Sequence, residues 1–201
     1  MQRSLRILAH LIGIVPVLIS IYTWWHDGNP IDPVAAYTAQ SGDAALKMLL
    51  ASLAITPLMR VTRVARLGVM RRPLGLYAFA YVCAHVLVYV WLDYAWDWSL
   101  MLDNLLRKRY LLAGVVAATV LVPLALTSMQ WWQRLLGIWW KRLHRIAYVA
   151  ATAALLHYFW LVKSDTRVPL VYIGIFVLLM LIRAWYWYRR PGARADAMTH
   201  S

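Results

Sequence analysis

The chain contains one cysteine, Cys83, among 201 residues, so no internal disulfide is possible. It has no Cys-x-x-Cys pair and no carboxylate-rich cluster, which leaves the common structural metal sites without ligands. Acidic residues are also scarce, eight against 21 lysines and arginines, and only 14% of the chain is charged. No long polar insert, internal repeat or low-complexity stretch is evident. What remains is 63% hydrophobic, with a mean hydropathy of +0.58. A soluble domain of this size cannot hide so much apolar surface. The net charge of +13 does not indicate nucleic acid. The basic residues cluster between apolar segments, as topogenic charges do.

About 20 apolar residues cross a bilayer as a helix. The pattern predicts six spans, at about 7–25, 44–59, 73–92, 110–127, 143–162 and 169–188. The first is too long for a signal-peptide core and ends in Trp24-Trp25 without a small-residue cleavage site, so it is expected to be retained. The second is short and contains Lys47, which can snorkel to the interface. Fifteen of the 21 basic residues fall on one side of this arrangement, and seven of the eight acidic residues on the other. The positive-inside rule makes the basic side cytoplasmic. The expected architecture is an all-α integral membrane bundle of six helices over residues 1–190, with both termini cytoplasmic and a flexible tail at 191–201.

Four of the six histidines, His10, His85, His144 and His157, lie inside apolar segments. Ionisable rings are costly there and usually mark a function. Neutral imidazole is also the usual axial ligand of haem iron, and without Cys-x-x-Cys-His the haem would be b-type. At 1.5 Å per residue, His85 lies roughly 18 Å and His157 roughly 21 Å from the cytoplasmic edge, so the two can ligate one iron. His144 and His10 are both shallow, and that pair could hold a second haem. His144 and His157 point roughly 140° apart on an ideal helix, which suits separate partners. Gly13, three residues after His10, clears space on the same face for a flat macrocycle. The plainer readings are hydrogen-bonded core histidines at 85 and 157, a helix-start residue at 144, and solvated rings at His26 and His200.

Arg71 and Arg72 stand at the cytoplasmic mouth of the third span. They suit haem propionates, and serve equally well as topogenic charges. Trp131, Trp132, Trp139 and Trp140 flank Arg134 in a segment that reads as a short interfacial amphipathic helix, or as a docking surface for a flavin donor. Cys83, on another face from His85, reads as packing. Tyr89 and Tyr148 follow His85 and His144 by one turn, at a porphyrin edge or in ordinary packing.

Across roughly residues 5–185 the chain resembles the MsrQ (YedZ) family, within the ferric-reductase-like transmembrane group. The matching stretches are His10-x-x-Gly13-x-x-Pro16, Thr56-Pro57-Leu58-x-Arg60, Arg71-Arg72-x-Leu74-Gly75-Leu76, His85 with Tyr89, Leu126-Thr127-Ser128, Leu143-His144 with Tyr148, and His157-Tyr158-x-Trp160. The resemblance implies a haem-binding subunit of the bacterial inner membrane. It would take electrons from a cytoplasmic flavin reductase and pass them to MsrP, a periplasmic molybdenum-cofactor enzyme that reduces methionine sulfoxide in oxidised proteins. It implies haem ligation by His85, His144 and His157, and it implies FMN, for which the sequence holds no fingerprint of its own.

Nothing after Arg190 could hold NADPH, so the chain is expected to be an electron-transfer subunit rather than the catalytic one. Electrons must arrive from a separate donor, a flavin reductase or a quinol, and leave to a separate acceptor. Two other readings stay open: a self-standing ferric or quinone reductase, and a haem-free membrane transporter or assembly factor.

Overall fold

The computed structural model describes residues 2–28 and 30–189, and every element in that range is helical. The predicted tail 191–201, together with Arg190, Arg194 and His200, lies outside the described residues. The helices are α1 (Gln2–Asp27), α2 (Pro33–Thr62), α3 (Arg71–Leu87), α4 (Trp98–Arg107), α5 (Arg109–Leu126), α6 (Gln130–Leu136), α7 (Ile138–Leu143), α8 (Ala147–Leu161) and α9 (Arg167–Tyr188). A 3₁₀ turn, Ala65–Met70, leads into α3, and a π-helical turn, Val88–Asp93, extends it.

Five segments are long and apolar enough to cross a membrane: Gln2–His26, Pro33–Thr62, Ala65–Asp93, Arg109–Leu126 and Arg167–Tyr188. They correspond to five of the six expected spans. The expected span at 143–162 is the 15-residue α8, preceded by a 3₁₀ turn at His144–Ile146. The second span is longer than its hydropathy suggested. Asp32 caps α2 by accepting the Ala35 N–H at 3.0 Å, Pro33 fits the first turn, and the helix runs 30 residues. Asp43 and Lys47, which made this stretch look polar, are an i,i+4 ion pair at 2.6 Å on one side of the helix.

α2 is the most buried span and the centre of the bundle. Between helices in lipid, attraction comes from close packing rather than from expelling water, and small residues permit it. Ala9, Ala78, Ala150 and Ala151 are fully buried at such contacts, around Leu49, Leu74 and Leu121. Large apolar residues face outward instead, Leu18, Trp25 and Leu181 among them.

The two most extensive helix pairings are α2 with α3 and α5 with α8. They are copies of one pattern, and the absence of an internal repeat is corrected here. Gly42, Ala45, Leu49, Ala78 and His85 of the first hairpin match Gly114, Ala117, Leu121, Ala150 and His157 of the second, each 72 residues on. Ala45 and Ala117, Leu49 and Leu121, and Ala78 and Ala150 are buried alike.

Candidate functional site

His85 and His157 meet between the two hairpins, with ring centres 6.1 Å apart and planes at 87°. Each ring is fixed within its own hairpin by the same device. His85 Nδ1 lies 2.8 Å from the Thr38 carbonyl and His157 Nδ1 lies 2.7 Å from the Tyr110 carbonyl. A carbonyl only accepts, so each Nδ1 carries the proton and donates it, which leaves Nε2 as a bare lone pair. One turn after each carbonyl stands a glycine against the ring. A Cβ at Gly42 would come within 3.0 Å of His85, and one at Gly114 within 2.7 Å of His157. Thr38 and Tyr110, and Gly42 and Gly114, are again 72 residues apart.

This is how proteins prepare an imidazole for a metal: the second nitrogen is hydrogen-bonded, which sets the tautomer and the ring orientation. Two metal–nitrogen bonds of about 2 Å plus two ring radii span a similar distance to that between the ring centres. No group of three or more His, Cys, Asp or Glu side chains able to hold a bare ion occurs among the described residues. The donor set is two imidazoles and no third ligand. That fits a planar macrocycle that brings its own equatorial nitrogens, and it does not fit a tetrahedral ion.

At the arginine-rich end of the bundle a cavity of about 460 Å³ is lined by His144, Arg71, Arg72, Lys141, Arg145 and Arg183 among others, with no acidic side chain among the described residues. The structure therefore brings together three residues singled out in the sequence, Arg71, Arg72 and His144. Arg71 donates from Nη2 to Met59 Sδ at 3.0 Å, and its own carbonyl accepts from Ser52 Oγ at 3.0 Å. His144 stacks on Trp140 at 4.0 Å between ring centres, with Nδ1 3.1 Å from the Trp140 carbonyl. The 72-residue correspondence places Arg72 opposite His144. This end therefore carries one imidazole where the other end carries two.

His10 is placed differently from the expectation. It is exposed on α1, its Nδ1 lies 3.2 Å from Tyr77 Oη on α3, and it does not line the cavity that holds His144. The pairing of His10 with His144 is not formed. The space left by Gly13 is filled by the Tyr77 ring, and Tyr81 Oη donates to the Gly13 carbonyl at 2.6 Å. This motif docks α1 on α3. The tryptophan-rich segment is corrected too. It forms two short helices broken at Gly137, whose φ of +50° favours glycine. Trp131 and Trp139 are exposed, while Trp140 turns inward and donates Nε1–H to the Thr127 carbonyl at 2.9 Å.

The sequence reading missed two features. The glycine-and-carbonyl seats were visible only as Gly-x-x-Ala-x-x-x-Leu at 42–49 and again at 114–121. Arg183 is one of the fifteen basic residues that the charge count puts on the cytoplasmic side. It lies on α9 in the cavity wall, donates from Nη2 to the Leu53 carbonyl at 2.7 Å, and stacks over Tyr148 at 4.8 Å.

Residues 41–155 match the family model described as ferric reductase like transmembrane component. Among curated proteins, the chain is similar to the protein-methionine-sulfoxide reductase heme-binding subunit MsrQ of Xanthomonas campestris pv. campestris. The two are 40% identical over 198 residues, covering 96% of this chain and 89% of that one. The protein of the same name from Xanthomonas oryzae pv. oryzae is 39% identical over 200 residues, with 96% and 92% covered. That from Caulobacter vibrioides is 40% identical over 158 residues, with 78% and 74% covered. No solved structure gives a significant match.

Proposed function

Since this chain belongs to the MsrQ family of ferric-reductase-like transmembrane proteins, we propose that it is a b-type cytochrome of the bacterial inner membrane that carries electrons across the bilayer to a periplasmic methionine sulfoxide reductase. The observation that carries this reading is the pair of imidazoles, His85 and His157, each proton-anchored to a backbone carbonyl with its Nε2 left free. In this reading the two rings would hold one haem between them. When bound, the haem supplies one-electron chemistry through its iron. The chain's own residues fix the tautomer of both rings and hold their orientation.

The bundle spans the membrane six times, counting α8, with both termini and the arginine-rich end in the cytoplasm. Residues 1–190 are one haem-binding membrane domain, and 191–201 a cytoplasmic tail. His144, with Arg71 and Arg72, holds a second prosthetic group at that end, a haem or, on family resemblance alone, FMN. His10 stands outside both seats. The donor is a cytoplasmic flavin reductase or a quinol, since a basic surface attracts anionic reduced flavin or an acidic partner. The acceptor is the molybdenum-cofactor enzyme MsrP, which completes repair of oxidised periplasmic proteins.

The test is a purified, oriented reconstitution. The protein should show a low-spin b-type spectrum that sharpens on reduction with dithionite. In vesicles it should be reduced by a flavin reductase on the arginine-rich side, and re-oxidised by MsrP with methionine sulfoxide only from the opposite side. A colourless protein from haem-replete cells rejects the reading. Re-oxidation indifferent to MsrP but fast with quinone or ferric chelate replaces it with a self-standing quinone or ferric reductase.

A further inference from the structure

Arg183 carries a charge inside a membrane span, a position that is costly unless the group has a task. A guanidinium offers five N–H donors in a rigid fork. In this structure one branch is used, Nη2 to the Leu53 carbonyl at 2.7 Å, and the flat face rests on the Tyr148 ring. The stacking engages the charge but none of the donors. Nε and Nη1 are buried and have no acceptor among the described residues. A buried guanidinium with unpaired donors is destabilising by several hydrogen bonds' worth of lost hydration. Among the described residues the cavity it lines holds four other cations, Arg71, Arg72, Lys141 and Arg145, and no carboxylate. No acidic side chain of the cavity wall can therefore relieve it.

We infer that Arg183 is the anion anchor of this cavity, its free Nε–H and Nη1–H groups donating to anionic oxygen of the prosthetic group seated beside His144. The inference rests on the second seat proposed above and adds the residue that orients its occupant. Nη1 lies cis to Cδ and Nε–H points to the other edge, so the two free groups aim in different directions and each donates a separate charge-assisted hydrogen bond. The oxyanion comes from one of two sources, a haem propionate or the phosphate of a flavin nucleotide. The Leu53 carbonyl and the Tyr148 ring hold the fork in place before the occupant arrives, so binding costs little side-chain ordering. Arg183 is a positioning residue and takes no part in electron transfer itself.

The test compares Arg183→Leu and Arg183→Lys with the unaltered protein, all purified with their cofactors. Three quantities are read on each: haem per protein, flavin per protein, and the midpoint potential of every haem component. If the oxyanion is a propionate, Arg183→Leu lowers the potential of the component that His144→Ala removes, because the oxidised, more positive form loses a repelling charge. Arg183→Lys restores part of that shift, and the flavin content is unchanged. If the oxyanion is a phosphate, flavin per protein falls several-fold in Arg183→Leu while the haem potentials hold. In either case the haem that depends on His85 and His157 is retained, which reports that the bundle is folded. If Arg183→Leu loses that haem as well, Arg183→Lys decides, since it keeps the charge but not the fork. Potentials and flavin content that match the unaltered protein, in variants that retain the His85–His157 haem, overturn the inference and leave Arg183 a staple between α9 and α2. Absence of any haem in the unaltered protein overturns the proposed function instead.

Discussion

One methyl group at Gly114 probes the His157 seat more sharply than removal of the histidine itself. A Cβ there would stand 2.7 Å from His157 Nδ1 and 3.0 Å from Cε1, whereas ordinary contact begins near 3.4 Å. α5 cannot retreat without disturbing its packing on α8, so Gly114→Ala moves the ring by about 0.7 Å. The same movement stretches the bond from Nδ1 to the Tyr110 carbonyl from 2.7 Å towards the limit of hydrogen bonding. That bond contributes about 1 kcal/mol in its own right. Its larger effect is to orient the ligand, and loss of such an outer hydrogen bond typically weakens metal binding by about 10–100-fold. Gly42→Ala meets His85 at 3.0 Å, so the ring gives by only a few tenths of an ångström and the effect is smaller. The assay is transfer of haem to excess apomyoglobin, followed by absorbance and restricted to the component that His85→Ala removes. The expected order of loss rates is Gly114→Ala fastest, Gly42→Ala intermediate and unaltered protein slowest. A Gly114→Ala protein with full haem content, an unchanged low-spin spectrum and the unaltered rate would refute the reasoning.

Three further outcomes are expected. His85→Ala and His157→Ala should each abolish the same low-spin component, measured by haem quantification; full low-spin haem in either variant breaks the pairing. His144→Ala should leave that component and remove or perturb a separate redox transition, and an unchanged redox titration with normal reduction by a flavin reductase would make His144 structural. Tyr172→Phe deletes the 2.7 Å hydrogen bond from Tyr172 Oη to Asp43 between α9 and α2. Such bonds within membranes average about 0.6 kcal/mol, so thermal unfolding should shift slightly downward with haem content intact.

The sequence placed His85 and His157 together through depth alone, because a helix converts residue count into height with little error. The same arithmetic failed for His10. Depth says nothing about which face a ring occupies, and Tyr77 on α3 fills the space beside Gly13. The outer turns of α2 were missed because an ion pair along one helix reads in the sequence as two isolated charges. Trp140 was assigned to the interface with its neighbours, although a positive φ at Gly137 turns it inward. The repeat went unseen because only the residues that touch a histidine or fill the hairpin contact are shared. The remaining positions face lipid, where any apolar side chain serves.

The twin arrangement of the histidines also has a mechanical side. Each ring is clamped inside its own hairpin, by Thr38 and Gly42 in one and by Tyr110 and Gly114 in the other. The distance between the rings is therefore set by how the two hairpins lean against each other. Lean is the variable that a bilayer adjusts when its thickness differs from that of the protein. A thinner or thicker membrane acts on the hairpins as on the two arms of a calliper, and the jaws of the calliper are the imidazoles. A change in that lean moves the two imidazoles relative to each other while leaving both clamps intact.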